Sequence, residues 1–302
     1  MNDLHVIVGA GQIGAPLAQR LTARGLRVRT IRRTAGPNAV SADVRDPEAA
    51  ARAMEGAAVV YNVATPRYHK WTEELLPMTR GLVAGARSAG ARVVALDNLY
   101  MYGAAGVMRE DTPIAPCSKK GHLRAEAATV LLDSGATLLR ASDFVGPGAT
   151  MAAMFGDRFW QRLFAGKSVE AYGDPSLPHT YSFTPDVSAA LELLGTTSGL
   201  SSRVWHLPSL PAEPSQTWIE RFARAVDRSP RITPMAPFML TLAGLFIPEA
   251  GEVREMLYQW RAPFILDGSA FAAKFGFAPT AMDRVVAETI AWARGQYERR
   301  AA

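Results

Sequence analysis

The sequence predicts an α/β fold, a doubly wound parallel sheet with a smaller C-terminal lobe. Three observations predict it. Short apolar runs alternate with helix-periodic segments through the first half of the chain. A G-x-G-x-x-G pattern joins the first apolar run to the first helix. After residue 146 the alternation stops, and prolines and aromatics increase in "FGDRFWQRLFAG", "YGDPSLPHTYSFTPD" and "WHLPSLPAEPSQTW".

The run "HVIVGA" (5–10) reads as the first strand. In "GQIGAPLAQRLTARG" (11–25), Ile13, Leu17 and Leu21 recur at four-residue spacing, and Gly25 stands where a helix ends. "LRVRTIRR" is a second strand, and a third, short one precedes Asp43. In "DVRDPEAAARAME", Asp46 is an N-cap that can accept from the free N–H groups of the first turn. Pro47 at the first helical position loses no hydrogen bond there. "AAVVYNVA" is a strand, "WTEELLPMTRGLVAGARSAG" a helix and "RVVALDN" a strand. "HLRAEAATVLLDSG" is a helix and "ATLLRASDF" a strand. The last segment, "FILDGSAFAAKFGFAPTAMDRVVAETIAWARG", is helical and rich in aromatics. Repeated βα units of this length build a parallel sheet. The expected division is a sheet domain over residues 1–146, rejoined by 180–207, and a substrate lobe from 147–179 and 208–302.

Hydrophobic residues make up 48% of the chain and charged residues 20%, which supports a core and excludes a disordered chain. The single cysteine, Cys117, excludes an intrachain disulfide and fits a reducing compartment. With no signal-peptide pattern at the N-terminus, a cytoplasmic location is expected. "APFMLTLAGLFIPEAG" is too short for a bilayer and is bracketed by prolines, so it reads as a buried or pocket-lining helix. Net charge is +5. The basic residues are mostly scattered singly, apart from pairs such as Arg32–Arg33 and Lys119–Lys120. Neither nucleic acid nor a membrane is therefore expected as a partner, while a homodimer is compatible with the composition. His122 has no second histidine or cysteine at ligand spacing, so no metal site is expected.

The glycine loop spans Gly9, Ala10, Gly11, Gln12, Ile13 and Gly14. Gly9 permits a tight turn, Gly11 lets the backbone approach a pyrophosphate, and Gly14 allows close helix–strand packing. The helix N-terminus offers free N–H groups and a positive dipole to phosphate. At the end of the second strand an NAD-binding sheet carries an acidic residue for the ribose 2′-OH. This chain has Arg32 and Arg33 there. Guanidinium groups pair with a 2′-phosphate, so NADP is the expected cofactor unless the arginines are only a solvated pair. Asp43 can accept from an adenine amino group, or can serve as a turn or helix-entry residue.

"VIVGAGQIG", "ADVRD", "VVYNVATP", "LDNLYMYG", "LLRASDFVGPG", "TYSFTPDVSAAL" and "LDGSAFAAKFGFAPT" follow in the order of the extended short-chain dehydrogenase/reductases. The chain thus resembles the NAD-dependent epimerase/dehydratase family, with the G-x-G-x-x-G spacing of its atypical members. The resemblance covers essentially the whole chain. It implies a Rossmann domain with the pyrophosphate on the loop of Gly9, Gly11, Gln12, Ile13 and Gly14. It places Val44 of "ADVRD" in the cofactor region, and Val63, Ala64 and Thr65 near the cofactor ribose. Phe144 of "ASDFVGPG" would lie against the nicotinamide, and Asp143 would face the substrate.

The family's reaction centre is an Asn–Ser–Tyr–Lys group, in which tyrosine transfers the proton while hydride moves to or from the nicotinamide. Counting from "LYMYG" puts Asn98 at the serine position. Aligning the next helix puts Gly121 at the tyrosine position and Ala125 at the lysine position, and Met78 stands for the asparagine. No tyrosine lies between Tyr102 and Tyr172. Three substitutes are available. Asn98 can orient an oxygen or simply tie down a turn. Tyr100 can reach the site if its strand ends before it, or can pack as an ordinary aromatic. Lys120 can approach a ribose or substrate oxygen, or remain solvated. Asp143 is the runner-up as proton donor. Two functions are expected. One is an NADP(H)-dependent oxidoreductase or epimerase-like enzyme, acting on a small carbonyl or hydroxyl compound or a nucleotide-sugar-like substrate. The other is a non-catalytic NADP(H)-binding redox sensor or regulator. Arg158, Arg162 and Lys167 could clamp substrate phosphates or be surface charges.

Overall fold

The structure is a computed structural model, and it describes residues 4–34, 36, 39–104, 106–150, 153–235 and 252–298. Chain contacts divide it into two units of similar length. Unit one comprises residues 1–101, 119–141 and 187–206, and unit two comprises 102–118, 142–186 and 207–302. Residues 102–118, 142–146, 180–186 and 207, expected with the sheet domain, thus group with unit two.

Unit one holds a seven-stranded sheet. Its strands are β1 (Leu4–Val8), β2 (Arg27–Arg32), β3 (Ala39–Ser41), β4 (Val59–Asn62), β5 (Arg92–Asp97), β7 (Thr137–Arg140) and β12 (Arg203–His206). The order is β12-β7-β5-β4-β1-β2-β3, and every pairing is parallel. Strand order reverses between β1 and β4, which opens a crevice at their carboxyl ends. Helices α1 (Gly14–Ala23), α2 (Pro47–Met54), α3 (Trp71–Ser88), α4 (Lys119–Asp133) and most of α6 (Thr184–Thr196) cover the sheet. Val6, Val8, Val60, Ala95 and Leu138 pack with Ala50, Leu75, Leu82 and Leu131 of α2, α3 and α4 in one core.

Local chemistry sets these boundaries. Leu17 and Leu21 are fully buried on α1, and Gly25 follows the helix at φ +77°, a conformation open to glycine. Asp46 caps α2 by accepting from the N–H groups of Glu48 and Ala49. On the opposite face, Arg20 and Arg24 of α1 pair with Glu192 of α6.

Two expected elements differ. The helix expected from His122 begins at Lys119, which brings Lys120 and Gly121 into its first turn. The strand expected over 136–144 is two strands, because the chain leaves the parallel sheet after Arg140. Its second part, β8 (Asp143–Val145), pairs with β11 (Tyr181–Phe183) in unit two.

Unit two contains three further two-stranded pairs. They are β6 (Val107–Met108) with β15 (Ile265–Leu266), β9 (Val169–Tyr172) with β14 (Ile232–Met235), and β10 (Pro178–His179) with β13 (Glu213–Pro214). Among the described residues, helices α5 (Asp157–Phe164), α7 (Ser215–Ala225), α8 (Ser269–Phe275) and α9 (Met282–Tyr297) also belong to it. Its core is aromatic: Phe155, Phe159, Trp160, Tyr181, Trp218 and Phe222 pack together. That cluster takes up several of the aromatics after residue 146. The apolar segment "APFMLTLAGLFIPEAG", expected as a helix, lies outside the described residues.

Candidate functional site

The glycine loop connects β1 to α1. Gly9 has φ +112°, and its N–H donates to the Ile31 carbonyl at 2.9 Å. A Cβ on Gly9 would stand 3.0–3.1 Å from Ala64, just beyond β4. A Cβ on Gly14 would lie 1.8 Å from the Gly9 carbonyl oxygen and 3.1 Å from Val63 Cγ2. No side chain could occupy that space without moving backbone. Gly11 is different, since a Cβ there would meet nothing within 4 Å. Backbone at Gly11 therefore faces open space. Ile13, at the N-cap of α1, is buried and provides no side-chain cap, so the first N–H groups of the helix have no capping side chain. Gln12 Oε1 is buried without a partner among the described residues. An open backbone stretch at an uncapped helix N-terminus fits a pyrophosphate.

A cleft of about 150 Å³ adjoins this loop. Seven of the residues expected to bind the cofactor line it: Gly9, Arg32, Arg33, Asp43, Val44, Ala64 and Thr65. Pro66, Arg45 and Glu74, which were not expected there, are among the other lining residues. Met78, at the family's asparagine position, also lines it. The charged groups form a chain. Glu74 accepts from Arg33 and Arg45, each at 3.1 Å. Arg45 also holds Asp43 through its side chain and its backbone N–H at 3.0 Å. That side-chain bond holds the Asp43 carboxyl below its ordinary value. Asp43 thus serves a local turn. Arg32 makes no ion pair among the described residues. The cleft wall carries three arginines and two carboxylates, an excess of one positive charge. "DVRD" placed Arg45 two residues after Asp43, whereas nothing in the sequence pattern marked Glu74.

A second cluster stands at the carboxyl ends of β4 and β5. Strand β5 ends at Asp97, so Tyr100 leaves it in the 3₁₀ turn Tyr100–Tyr102. Asn98 Oδ1 accepts from the Tyr100 N–H at 3.1 Å, and so ties down that turn. The Tyr68 hydroxyl donates to the Tyr100 hydroxyl at 3.4 Å. Lys120 is buried, with Nζ 4.5 Å from the Tyr68 ring centroid. Arg124, which no sequence motif marked, stacks 4.2 Å above Trp71 and donates to Thr65 Oγ1 at 3.2 Å.

Asp143 and Phe144 stand on β8 in unit two. Asp143 Oδ2 lies 2.7 Å from His179 Nε2. The imidazole is stacked on Trp260 and on Phe264 at centroid distances of 5.0 and 5.1 Å. Burial, aided by the Asp143 charge, pushes the nearby Tyr172 hydroxyl up to about 12. The basic residues weighed as a phosphate clamp are partly committed. Arg158 pairs with Glu170, and Arg162 donates to the Ser168 carbonyl and hydroxyl. Cys117 is exposed, with its thiol pushed up by desolvation, which disfavours a reactive thiolate. Among the described residues no group of acidic, histidine or cysteine side chains could hold a metal ion, and no helix is long and apolar enough to cross a membrane.

A parallel sheet with its order reversal beside a glycine loop defines a Rossmann-type α/β fold. The model of the NAD dependent epimerase/dehydratase family matches residues 5–205, and the chain belongs to that family. Solved structures share the fold. MoeE5 in complex with UDP-glucose and NAD is 22% identical, over 96% of this chain and 98% of that one, with a TM-score of 0.80. DesIV, a dTDP-glucose 4,6-dehydratase from Streptomyces venezuelae with NAD and TYD bound, is 18% identical over 98% and 99%, with a TM-score of 0.79. UDP-glucuronic acid 4-epimerase from Bacillus cereus, in complex with UDP-glucuronic acid and NAD, is 14% identical over 97% and 100%, with a TM-score of 0.78. No curated protein matches the chain.

Proposed function

We propose that the chain is an NADP(H)-dependent oxidoreductase or epimerase-like enzyme acting on a carbonyl or hydroxyl substrate. The observation that carries this reading is the cleft beside Gly9, with Arg32 and Arg33 in its wall. The glycine loop and the α1 N-terminus would hold the pyrophosphate, and Arg32 and Arg33 the 2′-phosphate. Bound there, the nicotinamide would supply or accept hydride. Asn98, Tyr100 and Lys120, all in unit one, are the proposed groups for orienting the substrate and moving its proton. Family membership, and neighbours bound to UDP-glucose or UDP-glucuronic acid, support a nucleotide-sugar-like substrate. The arginine pair supports NADP, although those neighbours bind NAD.

One observation favours a second reading, a non-catalytic redox sensor: α4 carries Gly121 and Ala125 where the resemblance expects tyrosine and lysine. Fluorescence titration with NADPH and NADH tests the cofactor assignment. NADPH is expected to bind at least about tenfold more tightly, or about 1.4 kcal/mol. Equal affinities, or a preference for NADH, would overturn it. Steady NADPH consumption against a carbonyl panel separates enzyme from sensor.

A further inference from the structure

An enzyme of this kind needs a proton source. Resting on the enzyme reading, we propose that Arg124 is a positioning cation of the reaction centre, and that the Tyr68–Tyr100 hydroxyl pair carries the proton exchanged with a substrate oxygen.

Location is the first argument. Thr65 follows β4 and Asp97 ends β5, so both stand at the sheet's carboxyl edge, next to the order reversal where ligands bind. Arg124 reaches both, with Nη2 at 3.2 Å from Thr65 Oγ1 and Nη1 at 3.9 Å from Asp97 Oδ1. Thr65 also lines the nucleotide cleft.

Charge is the second. Two guanidinium groups, Arg124 and Arg140, approach the Asp97 carboxylate. Arg140 Nε already holds Asp97 Oδ2 at 3.1 Å. At 3.9 Å Arg124 is beyond hydrogen-bond reach of the other oxygen. Its Nε is buried with no partner among the described residues. Burial works against the Arg124 charge, and Asp97, Tyr100 and Tyr68 work for it, in that order. Phenol oxygens that favour a guanidinium are themselves favoured as anions by it, because the interaction is mutual.

Rigidity is the third. Arg124 lies on the face of Trp71, whose indole N–H donates to the Pro66 carbonyl at 3.1 Å. Lys120, one turn earlier, covers the Tyr68 ring. Asn98 seats Tyr100 through its backbone N–H. The 3.4 Å hydroxyl contact is long, as catalytic hydrogen bonds often are before substrate binds.

In the reductive direction, a bound reduced nicotinamide would supply hydride to the carbonyl carbon and be oxidised. The C–O π pair moves to oxygen, and that oxygen takes the Tyr100 proton. The Tyr68 proton passes to Tyr100, and solvent restores Tyr68. The oxidative direction reverses each transfer.

The test needs no substrate. Near-ultraviolet absorbance of the cofactor-free full chain reads tyrosinate as pH rises to about 11, past the ordinary tyrosine value. Tyr61 and Tyr181, pushed far up by burial, and Tyr172, at about 12, stay largely silent in that range. Arg124→Gln is expected to delay the earliest tyrosinate by at least about one pH unit, and Arg124→Lys to keep it early. Tyr100→Phe or Tyr68→Phe is expected to remove that step. An earliest tyrosinate unmoved by Arg124→Gln overturns the proposal. So does one that survives both Tyr→Phe changes, which holds even if Arg124→Gln does not fold. NADPH titration of the wild type is run beside it. Failure to bind NADPH sinks the enzyme reading itself, while binding with an unmoved titration sinks only the role of Arg124.

Discussion

Gly11 and Gly14 lie three residues apart and do opposite things. A side chain at Gly11 would enter open space, whereas one at Gly14 would strike the Gly9 carbonyl at 1.8 Å. Gly11→Val is therefore expected to fold with a near-normal melting temperature but to lose NADPH binding, because the side chain would occupy the pyrophosphate position. Gly14→Ala is expected to destabilise the fold by about 1–3 kcal/mol, the usual cost of overpacking. Thermal unfolding and NADPH titration of the two variants check both. A folded Gly11→Val that binds NADPH normally would show that the pyrophosphate lies elsewhere.

Asp186, in the first turn of α6, holds the approach to α9 within unit two. It accepts from the Thr280 N–H at 2.9 Å and the Thr280 hydroxyl at 2.6 Å. Burial pushes its carboxyl up, and those hydrogen bonds offset only part of the rise. A raised folded pKa means that the folded state holds more protons than the unfolded one. The contribution of Asp186 to stability is therefore fully present below the ordinary carboxylate value, and is lost as pH rises through the raised value. Urea unfolding across that range is expected to show a decline in wild type that Asp186→Asn flattens. Identical pH profiles for the two proteins would contradict this.

In the whole molecule, the proposed cofactor binding would be linked to folding. A ligand that binds only the folded state stabilises by about 2.7 kcal/mol at a hundred times its Kd. NADPH at that excess is expected to raise the melting temperature of the wild type and leave that of Gly11→Val unmoved. An equal rise in both would point to a site away from the glycine loop.

Much of unit one was legible from local pattern. Apolar alternation, the Asp46–Pro47 cap and the glycine spacing depend on neighbours within a few residues, and the strands and helices they predict are present. Loop residues expected at the cofactor also converge on one cleft, because a parallel sheet brings successive carboxyl ends to one edge. Contacts between distant residues were not legible. Glu74 meets Arg33 across 41 positions, and Arg124 meets Thr65 across 59. His179 meets Asp143 across 36. No spacing rule encodes such pairs, since they arise only when separate elements pack. For the same reason the missing tyrosine could be read from the chain alone, whereas the aromatic and cationic groups around Tyr100 emerged only when β5, α3 and α4 were folded together.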